Sequence, residues 1–210
     1  MKVSYDLCTL TTLQPIADID FPTRWAHFRL LAFQRTLPSK GVIQEHQESA
    51  VALVLGDIHS TPPVVRIHSQ CATGDVFHSL RCDCHDQLHL ALQTIADQGA
   101  GVLLYEQQEG RGIGLMEKLR AYALQDDGLD TIEANRMLGH AVDLRDYRLV
   151  VEIIRFLKVT SLRLMTNNPD KIGAVLSSGI EITERLSASV PASPYSAHYI
   201  AVKRDQLGHL

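Results

Sequence analysis

The chain of 210 residues is 45% hydrophobic and 21% charged, which suits a globular protein with a sizeable core, and no apolar run approaches the ~20 residues that span a bilayer. A net charge of −4 and a pI near 6.2 argue against general nucleic-acid binding, which wants a basic face, though they leave room for a local basic pocket. The reading is one domain over 1–210, without internal repeat or linker, and without membrane or nucleic-acid polymer as partner.

In chain order, residues 1–23 read as an irregular leader broken by Pro15 and Pro22. Strands are predicted at 25–33, 50–55 and 64–68, with a polar loop over 37–48; the short connections suggest an antiparallel start. Cys8 reads as a spare thiol. After Cys84 the pattern becomes helix and strand in alternation. Leu88, Ala91, Leu92 and Ile95 recur at helical spacing before Gly99, and GVLLY at 101–105 is a buried strand. Further helices are predicted with Leu115, Leu119 and Tyr122 on one stripe, from Thr131, around Val150 to Leu157, at 169–178 and from Ala197. Further strands are predicted at 161–166 and 181–186. The fold class is α/β around a mixed sheet, with α+β as the alternative.

The stretch RIHSQCATGDVFHSLRCDC, from Arg66 to Cys84, holds three of the four cysteines in the spacing C-x10-C-x-C. Clustered cysteines in a reducing compartment read as metal-binding or catalytic, and three thiolates suit zinc with one open position. The alternatives are buried thiols, disulfides in a secreted protein, or a closed structural zinc with His68, His78, His85 or His89 as fourth ligand. MKVSYDLCTL lacks the apolar core of a signal peptide, so the expected compartment is the cytoplasm.

Three further stretches carry polar chemistry. EGRGIG at 109–114 follows a strand and enters a helix, where backbone amides and Arg111 suit a phosphate or purine edge; a plain turn is the bland alternative. In TNNPDK at 166–171, Asn168 is placed as helix cap and Pro169 as first helical residue. Lys171 then sits in the first turn, where the macrodipole disfavours a cation unless a bound anion, or Asp170 beside it, offsets the conflict. Asp143 and Asp146 flank Arg145 before an apolar helix, as caps or as an acid/base carboxylate beside a phosphate-binding arginine. Tyr122 reads first as a core residue on an apolar stripe.

Together with QEGRGIGL, RAYALQD, DTIEAN, DLRDY and TNNPDK, the cysteine stretch resembles GTP cyclohydrolase II of riboflavin synthesis, from about Trp25 to Leu210. The resemblance implies a catalytic zinc on Cys71, Cys82 and Cys84. It implies a nucleotide pocket of Arg66, Ile67, His68, Ser69, Gln70, Gln87, Glu109, Gly110, Arg111, Thr131, Thr166 and Lys171. Asp143 matches the family's proposed proton acceptor, Arg145 its proposed nucleophile, and Tyr122 a tyrosine implicated in catalysis. A guanidinium stays protonated at working pH, so a phosphate clamp is the more physical role for Arg145. The implied reaction takes GTP to formate, pyrophosphate and 2,5-diamino-6-(5-phosphoribosylamino)pyrimidin-4-one, with Mg2+ on the triphosphate and a homodimer as the working form.

Four features depart from the family's pattern: Gln70 stands for a glutamate, His85 for a glycine, Gln107 for an arginine, and FPTRWAHF lacks a glycine after Trp25. The first removes a carboxylate near the metal, the second brings an imidazole near it, and the third removes a cation from the triphosphate's reach. They keep two other readings open: a paralogue with another purine nucleotide or a partial reaction, and a non-catalytic nucleotide-binding zinc protein.

Overall fold

The computed structural model describes residues 13–37, 46–141 and 143–208. Its strands are β1 (Ala17–Pro22), β2 (His27–Leu37), β3 (His46–Leu55), β4 (Val64–Ser69), β5 (Gly101–Glu106), β6 (Ser161–Met165) and β7 (Glu181–Leu186). Its helices are α1 (Cys84–Gln98), α2 (Leu115–Asp126), α3 (Thr131–Met137), α4 (Arg148–Phe156), α5 (Pro169–Ser177) and α6 (Ala197–Leu207). Among the described residues the strands form one mixed sheet in the order β1-β2-β3-β5-β4-β6-β7. The pairs from β1 through β3 to β5 are antiparallel, and those joining β5, β4, β6 and β7 are parallel. The α/β expectation holds.

Three expectations need correction. Residues 17–22 of the expected leader form β1, an edge strand in register with β2 from Ala17 opposite Ala32 to Pro22 opposite His27. Its side chains are mostly exposed, so it lacks the buried face that marks a strand in sequence. Part of the expected 37–48 loop is strand as well, since β3 begins at His46. Finally, β4 does not continue the antiparallel start. It pairs in parallel with β5 and β6, and β5 takes the place beside β3. Cys8 lies outside the described residues.

The sheet is covered on both faces. Val65 and Ile67 of β4 join the cluster containing Val150, Ile153 and Ile154 of α4, while Val64 joins the cluster containing Ala91, Leu92 and Ile95 of α1. Alternation along a strand produces this division, and each fully buried Val, Leu or Ile contributes roughly 1.5–3 kcal/mol over exposure. Arg66 and His68 share Val64's face and are thus aimed towards the α1 side. Gly99 ends α1 at φ 69°, donating to Ala96 O, a left-handed turn that glycine takes without strain. The chain leaves β4 through α1 to β5 on one side, and later returns to β6 on the other. That reversal opens a crevice at the carboxyl ends of the parallel strands, the usual ligand position in such sheets.

Candidate active site

Cys71 lies two residues past the end of β4 and opens a tight turn over 72–76. Asp75 clamps that turn: its Oδ2 accepts from Cys71 N at 3.0 Å and from Tyr105 Oη at 2.9 Å, and its backbone N–H donates to Cys71 O at 2.6 Å. Cys84 is the first residue of α1, where the helix dipole favours a thiolate. The three sulfurs lie within 4.8 Å of one another, and no His, Asp or Glu among the described residues joins them within that distance.

This donor set fits a metal. Cys71 and Cys82 Sγ are 3.7 Å apart, too far for a disulfide and close to the roughly 3.8 Å edge of a tetrahedron with 2.3 Å zinc–sulfur bonds. Gly74 N–H donates to Cys71 Sγ at 3.4 Å, and a Cβ on Gly74 would stand 3.0 Å from Cys82 Sγ and 3.2 Å from Cys71 Sγ. Hydrogen bonding from Cys82 and then Cys84, helped by Lys118, holds the Cys71 thiol far below its ordinary value. The bond to Cys71 in turn pushes Cys82 up to about 11.

Beside it opens a cleft of about 770 Å³, solvent at its mouth included, whose walls include Arg66, Arg111, Lys118, Arg145 and Lys171. A chain of net charge −4 therefore gathers five cations around one crevice. Arg66 is buried, which lowers its pKa to about 10; its Nη2 donates to Gln87 Oε1 at 2.8 Å, and Gln87 Nε2 donates to Asp83 Oδ2 at 2.5 Å. Lys171 Nζ donates to Ile67 O at 2.8 Å and Ser69 Oγ at 3.2 Å. His68 Nε2 lies 3.1 Å from Asp75 Oδ1, and burial lowers its pKa, so the neutral ring donates there. That leaves His68 Nδ1, buried and unpartnered, as an acceptor; Arg66 Nε and Arg111 Nη1 are buried without partners too.

Arg145 is gripped by Asp143, whose carboxylate takes Arg145 Nε at 2.9 Å and 3.1 Å and also pairs with Nη2. Burial opposes the charge on Arg145, and Asp143 outweighs it, so the net shift raises the pKa. Tyr122 stands in a second cavity, about 440 Å³, that shares Cys71, Gly110, Arg111, Lys118 and Tyr199 with the first. Its Oη is 3.5 Å from Thr73 Oγ1, and burial pushes its pKa up to about 12. The expected core role is thus corrected: Tyr122 is only partly buried beside the cysteines, and Leu119 of the same expected stripe is exposed.

Arg66, His68, Ser69, Gln70, Gln87, Glu109, Gly110, Arg111, Thr166 and Lys171 all line the cleft. Ile67 supports it through its backbone, and the side chain of Thr131 lies outside the described residues. Glu109 is largely consumed by structure. Its Oε2 accepts from Ala72 N at 2.5 Å, and its Oε1 accepts from Lys118 at 2.7 Å and Gly110 N at 2.9 Å. Asn168 caps α5 as expected, accepting from Asp170 N at 2.8 Å. Asp146, not Asp143, meets the start of α4, accepting from Arg148 N. His85 packs between His78 and His89, its ring tilted against theirs with centroids 3.8 Å and 3.9 Å away, and does not join the sulfurs. Gln107 lines a neighbouring cavity with Gln47 and Glu48.

Sequence reasoning missed Lys118, Asp75 and Tyr105. Lys118 carried one signal: it precedes Tyr122 by four residues, which places both on one helical face.

A family model described as GTP cyclohydrolase II matches residues 14–187. The chain belongs to the GTP cyclohydrolase II family. It is 47% identical to the GTP cyclohydrolase-2 of Enterobacter sp. (strain 638) over 199 residues, 94% of this chain and 97% of that one. The Klebsiella pneumoniae GTP cyclohydrolase-2 is equally similar, at 47% identity with 94% and 96% covered. The riboflavin biosynthesis protein RibBA of Phocaeicola vulgatus is 45% identical over 208 residues, 99% of this chain and 50% of its own, so this chain spans about half of that longer relative. A solved two-domain 3,4-dihydroxy-2-butanone 4-phosphate synthase from A. baumannii aligns at 17% identity and a TM-score of 0.46, over 86% of this chain and 41% of its own, too loosely to bear on the fold.

Proposed function

We propose that this chain hydrolyses GTP to formate, pyrophosphate and 2,5-diamino-6-(5-phosphoribosylamino)pyrimidin-4-one in riboflavin biosynthesis. One observation carries the reading: a cluster of three cysteines, joined by no imidazole among the described residues, opens on a cleft lined by cations. Family membership supports it, as do the names of the full-length relatives. A closed structural zinc finds no fourth donor among the described histidines, aspartates and glutamates. That weighs against the non-catalytic alternative.

Zinc, held by Cys71, Cys82 and Cys84, would supply water acidified to near neutral pH as the nucleophile for C8 of the purine. The protein's own groups do the rest. Arg66, Arg145 and Lys171 would meet the triphosphate, with Mg2+ entering on the nucleotide. His68, which lines the cleft, would face the base. Tyr122, protonated across the working range, is suited to donate a proton as the imidazole ring opens. Asp143 is ionised and can accept one, but its hold on Arg145 favours a fixed cation that stabilises charge as pyrophosphate leaves. The raised pKa of Arg145 argues against a guanidinium nucleophile.

The test is mass spectrometry of zinc-loaded protein incubated with GTP and magnesium. Formate, pyrophosphate and the diaminopyrimidinone are expected together, and Cys82→Ser should abolish all three. A formamidopyrimidine alone would replace this reading with a partial reaction; unchanged GTP would overturn it. A cytoplasmic homodimer belongs to the same proposal, on family resemblance. No helix among the described residues is long and apolar enough to cross a membrane.

A further inference from the structure

Lys118 sits one turn into α2, its backbone N–H donating to Gly114 O at 3.1 Å. Its Nζ donates to Cys71 Sγ at 3.0 Å and to Glu109 Oε1 at 2.7 Å, and its side chain is 13% exposed. The ammonium also lies 5.8 Å from the centre of the Tyr122 ring. A buried cation in contact with a candidate ligand sulfur is neither a surface ion pair nor a plain core contact.

Its position answers a problem in the donor set. Three thiolates outweigh a divalent cation by one charge, and strong sulfur donation leaves such a metal a weak Lewis acid. A donor on the sulfur withdraws part of that density, and a positive charge there restores the balance. We infer that Lys118 is a positioning residue for the metal: held by Glu109, its ammonium draws density from Cys71 and keeps the centre electrophilic. The inference deepens the hydrolase reading above and rests on it for its catalytic consequence only.

A competing explanation is a mechanical strap. Glu109 Oε2 accepts from Ala72 N, next to Cys71, so the lysine also ties α2 to the cysteine turn. The two explanations differ in what happens to the metal. Without a strap the site loosens and zinc is lost. Without the tuning charge zinc stays, bound as tightly or more tightly because a like charge has gone from beside the incoming dication.

The experiment compares wild type, Lys118→Met and Lys118→Arg, each loaded with zinc for kinetics and chelator competition, and with Co2+ for absorption. In Lys118→Met, kcat should fall about 10–100-fold while the KM for GTP stays within about twofold. Zinc affinity should hold or rise. The sulfur-to-cobalt charge-transfer band should move to longer wavelength, because the sulfur lone pairs lose their stabilising donor. Lys118→Arg should return the band and most of the rate. Three results would overturn the inference: an unmoved band, zinc affinity falling in step with rate, or a raised KM at unchanged kcat, which would make Lys118 a substrate contact. Should Lys118→Met fail to fold, Lys118→Gln carries the same comparison. A wild type inactive on GTP would sink the hydrolase reading, while the cobalt band and zinc affinity would still decide the role of Lys118.

Discussion

Asp143 Oδ1 receives two donors from Arg145, the backbone N–H at 3.0 Å and Nε at 2.9 Å, so the arginine is locked by a residue two places before it. Burial alone would raise the Asp143 pKa; hydrogen bonds and charge from Arg145 reverse that, and the net shift is downward. The sign follows by linkage. The pair contributes stability above the unfolded value of about 3.9 and loses it as pH falls through the lower folded value. Asp143→Asn should therefore lower the urea midpoint at pH 7, with the difference shrinking towards pH 3. Arg145→Lys keeps charge but loses the planar fork, and should raise the KM for GTP or slow pyrophosphate release about tenfold or more. Intact-mass analysis during turnover should find no adduct on Arg145; trapping one would restore the nucleophile role.

Gly74 has no room for a side chain against Cys71 and Cys82. Gly74→Ala should weaken zinc binding by roughly 10–100-fold with little change in far-ultraviolet dichroism, since the turn is local. Zinc content after dialysis against a weak chelator reads this directly. Full retention would mean that the turn shifts to accommodate a methyl group.

Removing the hydroxyl in Tyr122→Phe should reduce kcat by about 10²–10⁴ at nearly constant KM, as loss of a general acid does. Because its pKa is pushed up to about 12, wild-type kcat should show no basic limb from this group below about pH 10. A variant as fast as wild type would assign proton donation elsewhere.

His85 packs against His78 and His89 and stands apart from the sulfurs. His85→Ala should leave the zinc stoichiometry and the product profile unchanged. Loss of one zinc per chain would mean that the imidazole reaches the metal once it is bound.

Much of this was legible in the sequence, for identifiable reasons. The cysteine spacing announced a cluster because the turn over 72–76 and the start of α1 are local structures. Helices α1 and α4 announced themselves through their apolar spacing, and α5 through Asn168 and Pro169. Strand β1 did not, because an exposed edge strand has no buried face to leave a pattern. The position of β5 between β3 and β4 was equally silent, since alternation records which side chains are buried and not which strand lies alongside. Lys118 and Asp75 escaped because each matters through a contact with a distant segment, Lys118 with Cys71 and Asp75 with Tyr105.

The place of β5 has a consequence for biosynthesis. Synthesis proceeds from the N-terminus, so β1, β2 and β3 can zip together as a meander well before Gly101–Glu106 leaves the ribosome. Until then β3 presents an unpaired edge, and its Ala50–Leu55 segment, AVALVL, is uncharged, free of proline and apolar throughout. Such a segment is a template for pairing with another nascent chain. Overexpression in the cold or with chaperones should therefore raise the soluble yield more than added zinc does, because the cysteine loop follows this edge in the chain and cannot cover it.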